Sequence, residues 1–308
     1  LTHGKKAIRL LCMPRPGLSK LFLPLEILYI FFFKLICWYK KKNIHQNSFP
    51  FKIISVGNLT VGGTGKSVAI PILVRLLGEE KSAIVLRGYR GAIEKTGDSV
   101  MVSDGQRMLV APAAAGDEAT MYAQQLAAPV VVGVNRARSC MLLQQWMQKN
   151  KKNIEYVFLD DAYQHFSVKK DFEILLLDAR APFDNGHYLP VGRLREKDYT
   201  RADVIIATHA DGLDAAAQLD FKKKLPAFNS EHIFFGTHAP EGIFFHNTEL
   251  VDQQAIASKR FLLAAGVGSF SGVLATARAA GAAVCATREF NDHYRYSSDD
   301  VQDLFQLM

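Results

Sequence analysis

The most informative part of this chain is the stretch 55–67, which reads SVGNLTVGGTGKS. It follows a short apolar and β-branched segment, 51–56, which predicts a buried strand. After it, the segment 68–77 predicts a helix closed by Gly78. A strand, a glycine-rich turn, Lys-Ser and a helix are typical of a phosphate-binding loop, or P-loop. The backbone N–H groups of such a loop point inward, and the helix N-terminus adds partial positive charge.

Two side chains of this P-loop are expected to contact a bound nucleotide and its metal. Lys66 would reach the β- and γ-phosphates, and the Ser67 hydroxyl would bind Mg²⁺. The general pattern begins with Gly, whereas this chain has Thr60 there, so the alternative is a glycine-rich turn without a ligand. The sequence Gly-Gly-Thr-Gly-Lys-Ser between a strand and a helix disfavours that alternative. The residues expected to bind ATP are Thr60, Val61, Gly62, Gly63, Thr64, Gly65, Lys66 and Ser67.

The rest of the chain predicts an α/β fold with a P-loop NTPase-like, mainly parallel sheet and helices on both faces. Near-continuous apolar strand segments alternate with helical segments, which is the pattern of a sheet buried on both sides. Helices are predicted at 118–126 and from about 139 to 149, and a hairpin is predicted at Asp104-Gly105. Further strands are predicted at 83–86, 99–102, 129–133, 155–159, 172–177, 203–207 and 261–265.

Charge and hydrophobicity set the N-terminal arm apart. Up to Lys42 the chain holds nine Lys and Arg residues against a single acidic residue, Glu26, whereas the remainder is nearly neutral. The apolar segment 21–39 within this arm is borderline in length for a membrane span, and both of its flanks are basic. We interpret it as a membrane-embedded or interfacial anchor helix. The alternatives are a buried core helix of a soluble protein and a cleaved signal peptide.

Two further segments place charged residues where chemistry is expected. An apolar strand segment ends in Asp160 and Asp161, the place where P-loop folds hold Mg²⁺, although many strands end in Asp at a turn. The loop 184–196 is rich in Gly and Pro and ends in Arg195 and Glu196. Arg195 could neutralise phosphate charge and Glu196 could join the metal ligands, the alternative being a surface loop with a solvated ion pair.

Several motifs occur in an order that resembles the tetraacyldisaccharide 4'-kinases, the lipid A 4'-kinases of Gram-negative bacteria. The segment 56–67 is similar to the P-loop of that family, which also has Thr at the first position. The family motifs G-D-E, D-D-G-[FL]-Q-H, N-G-x-x-L-P-x-G-x-L-R-E and F-x-D-H-H resemble the segments 116–118, 160–165, 185–196 and 290–294. Ala162 and Tyr294 depart from the Gly and the second His of these motifs.

The resemblance implies a kinase that uses ATP and Mg²⁺. Such an enzyme transfers the γ-phosphoryl group to the 4'-hydroxyl of an acylated disaccharide 1-phosphate. It implies that Asp117 is the base toward the sugar hydroxyl and that His293 partners Asp117. From the residues alone, a helix cap is the preferred interpretation of Asp117, since Asp is a favoured residue there, and the two roles are compatible. The predicted catalytic residues are Asp117, His293 and Lys66, and the predicted metal ligands are Ser67, Asp160, Asp161 and Glu196.

Domains, location and partners follow from the same resemblance. We expect a basic arm with an anchor helix at 1–43 and a P-loop kinase domain at 44–308 that is truncated, because a T-T-E-K-D-like segment of the family is missing. The enzyme is expected at the cytoplasmic face of the inner membrane, with a lipid substrate, no nucleic acid and no obligate protein partner. Two alternatives stay open. One is a P-loop ATPase or GTPase of metallochaperone or protein-targeting type, and the other is a nucleotide-binding membrane scaffold without kinase activity.

Overall fold

The chain forms two compact units, Leu1–Gly236 and Thr237–Met308. The computed structural model describes residues 19–42, 48–237, 239, 243–245, 249–251, 259–267, 270–291, 294 and 296–307. The break in contacts after Gly236 was not anticipated from the sequence. The division into 1–43 and 44–308 stays a prediction.

The first unit is built on one eight-stranded sheet. Its strands are β1 (Lys52–Asn58), β2 (Ser82–Leu86), β3 (Ser99–Asp104), β4 (Pro129–Gly133), β5 (Tyr156–Asp160), β6 (Phe172–Asp178), β7 (Val204–Thr208) and β8 (Ile233–Phe235). They lie in the order β3-β4-β2-β5-β1-β6-β7-β8. Every neighbouring pair is parallel except β3 and β4. The mainly parallel sheet is therefore confirmed, with β1 and the P-loop near its centre.

Helices cover both faces of this sheet. The helices of the first unit are α1 (Ser19–Lys42), α2 (Lys66–Leu77), α3 (Ala92–Thr96), α4 (Pro112–Ala115), α5 (Asp117–Gln125), α6 (Arg136–Asn150) and α7 (Ala215–Lys223). On one face, Ile70 of α2 and Tyr122 of α5 pack with Val56 of β1. On the other face, Leu143 of α6 packs against β1, β2 and β5. Alternate residues of one strand enter opposite cores, which explains why the strands are apolar throughout.

The predicted hairpin at Asp104-Gly105 is present in a short form, in which Leu109 N–H donates to the Val102 carbonyl at 2.8 Å but no second strand directly follows the turn in this described part of the chain. The Asp104 carboxylate accepts hydrogen bonds from the backbone N–H groups of Gln106 and Arg107, both at 2.9 Å, and a single bridge joins Ser103 to Met108. The partner of β3 in the sheet is β4, which comes later in the chain. Side chains that bond to their own backbone stabilise a turn without a second strand.

The second unit contains a small parallel pair of strands joined by a helix. Its elements are β9 (Ile243–Phe245), β10 (Glu249–Val251), β11 (Arg260–Ala265), α8 (Phe270–Ala279), β12 (Ala283–Glu289) and α9 (Ser298–Gln306). β11 pairs with β12 in a sheet of two described strands, so the strand predicted at 261–265 exists but lies outside the large sheet. α9 begins with a capping box in which Ser297 and Asp300 bond each other's backbone N–H.

Helix α1 presents one face to the first unit and the other to the surroundings. Its less exposed residues recur with helical spacing and are Phe22, Glu26, Tyr29, Ile30, Phe33 and Cys37. Its exposed apolar residues are Leu23, Leu25, Ile27, Leu28, Phe31, Phe32, Leu35, Ile36, Trp38 and Tyr39. The window Phe22–Tyr39 is long and apolar enough to cross a membrane by length and composition. The buried-core-helix alternative is wrong, because only 6% of this window is buried.

Candidate active site

Glycines set the conformation of the P-loop between β1 and α2. Gly65, directly before α2, adopts a left-handed conformation with φ 78° and ψ 15°, and Gly62 has φ 121°. Residues with a Cβ rarely adopt such values, which explains the glycines. A side chain at Gly62 would also collide with the guanidinium group of Arg193, which lies over the loop. The loop therefore leads into α2 so that the first N–H groups of the helix are directed at the site.

Lys66 lies between two oxygen acceptors. Its Nζ is 3.3 Å from Oδ1 of Asn58 and 3.4 Å from Oδ1 of Asp161, and its side chain is only 12% exposed. Asn58 is fully buried at the end of β1, and its amide donates to the Gly62 carbonyl at 3.4 Å. Asn58 therefore braces both the lysine and the loop. Sequence reasoning missed Asn58, although a polar residue at the end of an apolar strand was a visible signal.

Asp160 is buried at the end of β5 and carries an unusual proton affinity. Tyr122 donates its hydroxyl hydrogen to Oδ2 at 3.1 Å, while Oδ1 has no hydrogen-bond partner among the described residues. Burial raises the pKa of Asp160 to about 7, with Glu118 and Asp161 adding to the shift and Lys66 opposing it. A buried oxygen without a partner, next to a P-loop, is the kind of atom that a cation would satisfy.

Asp161 differs from Asp160 because the side chains of Lys66 and Arg195 both contact its carboxylate. Burial on its own would raise its pKa, but Lys66 and Arg195 lower the pKa of Asp161 below its ordinary value. Arg195 Nη1 lies 3.0 Å from both carboxylate oxygens. The structure thus brings Lys66, Asp160 and Asp161 together with Arg195, which was predicted to neutralise phosphate charge.

The loop 184–196 is paired with the P-loop through its backbone. Arg195 N–H donates to the Leu59 carbonyl and Val61 N–H donates to the Arg193 carbonyl, both at 2.7 Å. Between them, Thr60 and Leu194 form an antiparallel bridge. This pairing places the two arginines on either side of the P-loop, with Arg193 Nε donating to the Val61 carbonyl at 2.8 Å. Arg193 was not identified from the sequence, because its position depends on contacts more than 130 residues apart.

Glu196 is held by other side chains and is only 4% exposed. Arg201 donates to both of its carboxylate oxygens, at 2.8 and 3.1 Å, and Gln164 donates to Oε1 at 2.9 Å. Gln164 also donates to the Asn58 carbonyl at 2.8 Å. Through Gln164, Glu196 therefore supports Asn58 at the end of β1, where the P-loop begins. Its role as a metal ligand stays a prediction.

Asp117 is the first residue of α5, directly after Gly116. Gly116 occupies the cap position with φ 91°, so the interpretation of Asp117 as the N-cap is wrong. A Cβ on Gly116 would lie 2.7 Å from the Tyr89 carbonyl, so the start of α5 packs tightly against the turn after β2. Asp117 is exposed there. His293 lies outside the described residues, so its pairing with Asp117 stays a prediction.

The described residues also fit a Mg²⁺ ion that relies on phosphate oxygens. No cluster of three or more His, Cys, Asp or Glu side chains that could hold a metal by itself occurs among them. A nucleotide-linked Mg²⁺ needs fewer protein ligands, because the phosphates supply several of its oxygens. The unpartnered Asp160 Oδ1 and the partly buried Ser67 in the first turn of α2 are suitable ligands.

These features define a P-loop phosphotransferase site: a glycine-rich loop, a lysine in the first turn of the following helix, and carboxylates at the end of the adjacent strand. A sequence model of one family, described as tetraacyldisaccharide-1-P 4'-kinase, matches residues 18–308. The chain belongs to this family, which confirms the resemblance seen in the sequence.

Individual relatives agree with this assignment. The tetraacyldisaccharide 4'-kinase of Geobacter metallireducens is 34% identical over 257 residues, covering 82% of this chain and 72% of the relative. That of Desulfotalea psychrophila is 32% identical over 292 residues, covering 91% and 80%. The crystal structure described as the "apo" form of LpxK from Aquifex aeolicus in complex with ATP superposes with a TM-score of 0.73 and 26% identity, covering 91% of this chain and 84% of that chain. The predicted fold class is confirmed.

Proposed function

We propose that this protein transfers the γ-phosphoryl group of ATP to the 4'-hydroxyl of a tetraacyldisaccharide 1-phosphate at a membrane surface. Its family is that of the lipid A 4'-kinases, which supports an ATP-dependent kinase and disfavours the ATPase, GTPase and scaffold alternatives. The observation that carries the proposal is the cluster of Lys66, Asp161 and Arg195 on a P-loop.

The cations of the site are placed to neutralise a triphosphate. Lys66 and Arg195 now share the carboxylate of Asp161, and Arg193 lies over Gly62. A nucleotide whose β- and γ-phosphates enter the loop competes for the same ammonium and guanidinium groups. Phosphoryl transfer depends mainly on positioning and charge neutralisation, so these groups are suited to stabilise the transferring phosphoryl group. An ATP complex of a structural relative is known, which supports ATP as the nucleotide.

Mg²⁺ is proposed to bind between the P-loop and the end of β5. Ser67, Asp160 and Asp161 would hold it, and Glu196 would join only after release from Arg201. When bound there, the ion supplies neutralisation of the β- and γ-phosphate oxygens. Because the pKa of Asp160 is about 7, cation binding at neutral pH is coupled to loss of its proton.

Asp117 is proposed to orient the attacking sugar hydroxyl and accept its proton, with His293 as its partner. The support is the exposed position of Asp117 at the N-terminus of α5, the helix that also carries Tyr122 to Asp160. The transition state of such transfers is loose, so the base chiefly orients the hydroxyl and takes the proton late.

We further propose that α1 binds the cytoplasmic surface of the inner membrane, without spanning it. One face of α1 is occupied by the first unit from Phe22 to Cys37, and the opposite face is almost entirely apolar. A helix with this division lies in the interface plane with its apolar side in the acyl region. ATP is cytoplasmic, and an acylated acceptor stays in the membrane, so both substrates are reached from this side.

The test is incubation of the full chain with γ-labelled ATP and tetraacyldisaccharide 1-phosphate in detergent micelles. We expect label in the lipid fraction with the native protein and none with Lys66→Ala. Label released only as inorganic phosphate, or turnover that requires an added protein, would contradict a lipid kinase and favour an ATPase or GTPase.

A further inference from the structure

Glu26 is the single acidic residue of helix α1, and its carboxylate is buried. Only 8% of Glu26 is exposed. Its Oε1 accepts a hydrogen bond from the backbone N–H of Tyr188 at 2.5 Å, and its Oε2 lies 3.0 Å from Nδ1 of His187. One turn further along α1, Tyr29 donates its hydroxyl hydrogen to the Arg195 carbonyl at 3.2 Å. Both polar side chains of this face therefore contact the loop 184–196.

Membrane attachment does not explain a carboxylate at this position. A buried charge is costly unless it is paired and hydrogen-bonded, and an apolar residue at 26 would serve the membrane better. Within the described part of the chain, the hydrogen-bond partners of the Glu26 carboxylate are His187 and Tyr188 of the loop. The contacts of Glu26 with His187 and Tyr188 therefore act to hold the loop 184–196 in place.

A short series of backbone contacts connects Tyr188 to the P-loop. Leu194 N–H donates to the His187 carbonyl at 3.2 Å, and Leu189 N–H donates to the Leu194 carbonyl at 3.0 Å. The turn between Leu189 and Leu194 is tight, since a Cβ on Gly192 would collide with the His187 carbonyl. Leu194 in turn bridges Thr60 of the P-loop. A displacement of Tyr188 would therefore also displace Arg193 and Arg195, which flank Leu194.

We propose that Glu26 is a positioning residue, which fixes the loop 184–196 on α1 and so holds Arg195 at Asp161 beside the P-loop; this inference rests on the proposed kinase function. Helix α1 then has two roles. Its apolar face binds lipid, and its Glu26 face sets the geometry of the phosphate site. The second role persists when the acceptor is dissolved and membrane attachment is irrelevant.

The test uses full-length variants with saturating solubilised acceptor in detergent micelles. Glu26→Ala is expected to lower kcat by roughly 10–100-fold, since small displacements of a positioned group cost about that much, while KM for ATP changes less than about threefold. Glu26→Gln keeps an oxygen acceptor for Tyr188 N–H and is expected to recover most of kcat. Glu80→Ala, which removes an exposed glutamate elsewhere, is the matched control and is expected to match the native protein.

Hydrogen exchange of the Tyr188 amide gives a readout that is independent of catalysis. Glu26→Ala is expected to accelerate this exchange by about tenfold or more, because the amide loses a charge-assisted hydrogen bond. If Glu26→Ala does not fold, Tyr29→Phe removes only the contact to the Arg195 carbonyl and should lower kcat in the same direction.

Two results would overturn the inference: native kcat for Glu26→Ala in micelles, or a loss of thermal stability without faster exchange at Tyr188. Absence of lipid labelling by the native protein itself would reject the proposed function, and the exchange measurement would still decide whether Glu26 fixes the loop.

Discussion

Asp160 and Asp161 are adjacent in the chain, yet their surroundings shift the pKa of each in opposite directions. Asp160 contacts Tyr122 of α5, where burial favours the protonated form. Asp161 has a positive φ of 50° and turns toward Lys66 and Arg195, which favour the ionised form. The turn after β5 therefore gives two aspartate side chains opposite preferences for the protonated and the ionised form.

The pH dependence of stability should report on Asp160. Its folded pKa of about 7 lies above the ordinary value of 3.8, so the folded state binds more protons between these values. Stability from this group is therefore present at low pH and is lost as the pH rises toward 7. Asp160→Asn should raise the free energy of unfolding at pH 8 by at least about 1 kcal/mol more than at pH 5, because at pH 5 only part of the interval between the two pKa values has been crossed. Urea denaturation of the nucleotide-free protein at both pH values measures this, and an equal effect at both would refute it.

Lys66→Ala should remove phosphoryl transfer while leaving the fold intact. The loss should be at least about 10²–10³-fold in kcat, the scale for removing a group that stabilises developing charge. Arg195 still neutralises Asp161 in the variant, so unfolding should change little. Steady-state kinetics and thermal unfolding check both points, and near-native turnover would refute the P-loop assignment.

Asp117→Asn and His293→Ala should each lower kcat by roughly 10²–10⁴-fold with little loss of ATP affinity, the usual range for a general base. The double variant should be scarcely slower than the slower single variant, because residues that act as a unit are not additive. Single-turnover kinetics provide the measurement. Multiplicative losses, or an Asp117→Asn enzyme with native kcat, would show that the two do not act as a pair.

Sequence reasoning identified the residues whose roles are local. Lys66, Asp160 and Asp161 sit at fixed positions in a motif or at a strand end, and the structure brings them together. Asn58 contacts Lys66 and Gly62, which are close in sequence, so its position at the end of β1 could have identified it. Arg193 could not be identified, because its role depends on the pairing of 59–61 with 193–195. Such long-range pairing follows from the tertiary fold and leaves no local pattern.

At the scale of elements, the eight predicted strands agree with the structure to within two residues at each end, whereas β8, β9, β10 and β12 were not predicted. β4, predicted at 129–133, begins and ends where expected, because a run of Val between Pro and Gly permits little else. The strand order was not predicted, since a parallel sheet depends on which helix crosses which face. The same limit explains why β11 was not separated from the large sheet.

Helix α1 should lose membrane affinity when large side chains on its exposed apolar face are replaced by Ala. Replacing Phe31, Phe32 and Trp38 by Ala removes large side chains that each contribute up to about 1.5–3 kcal/mol when buried. Co-sedimentation with anionic vesicles at high salt should fall at least about tenfold, while kcat in micelles stays within about threefold of native. Unchanged sedimentation would show that α1 is not the anchor.

At the scale of the whole molecule, the first unit connects a helix with an exposed apolar face to the P-loop site. The basic arm carries all of the excess positive charge, whereas the remainder is nearly neutral. Glu26 and Tyr29 link α1 to the loop that pairs with the P-loop. If α1 binds the membrane as proposed, this connection would hold the phosphate site close to the lipid surface where the acceptor lies.

The position of the transferred phosphate tests the central claim most directly. The native protein is incubated with ATP, Mg²⁺ and tetraacyldisaccharide 1-phosphate, and the purified lipid is analysed by mass spectrometry and phosphorus NMR. We expect one added phosphate, present as a second monoester at the 4'-oxygen of the distal sugar. A product phosphorylated elsewhere, or ATP consumption with the lipid unchanged, would contradict it.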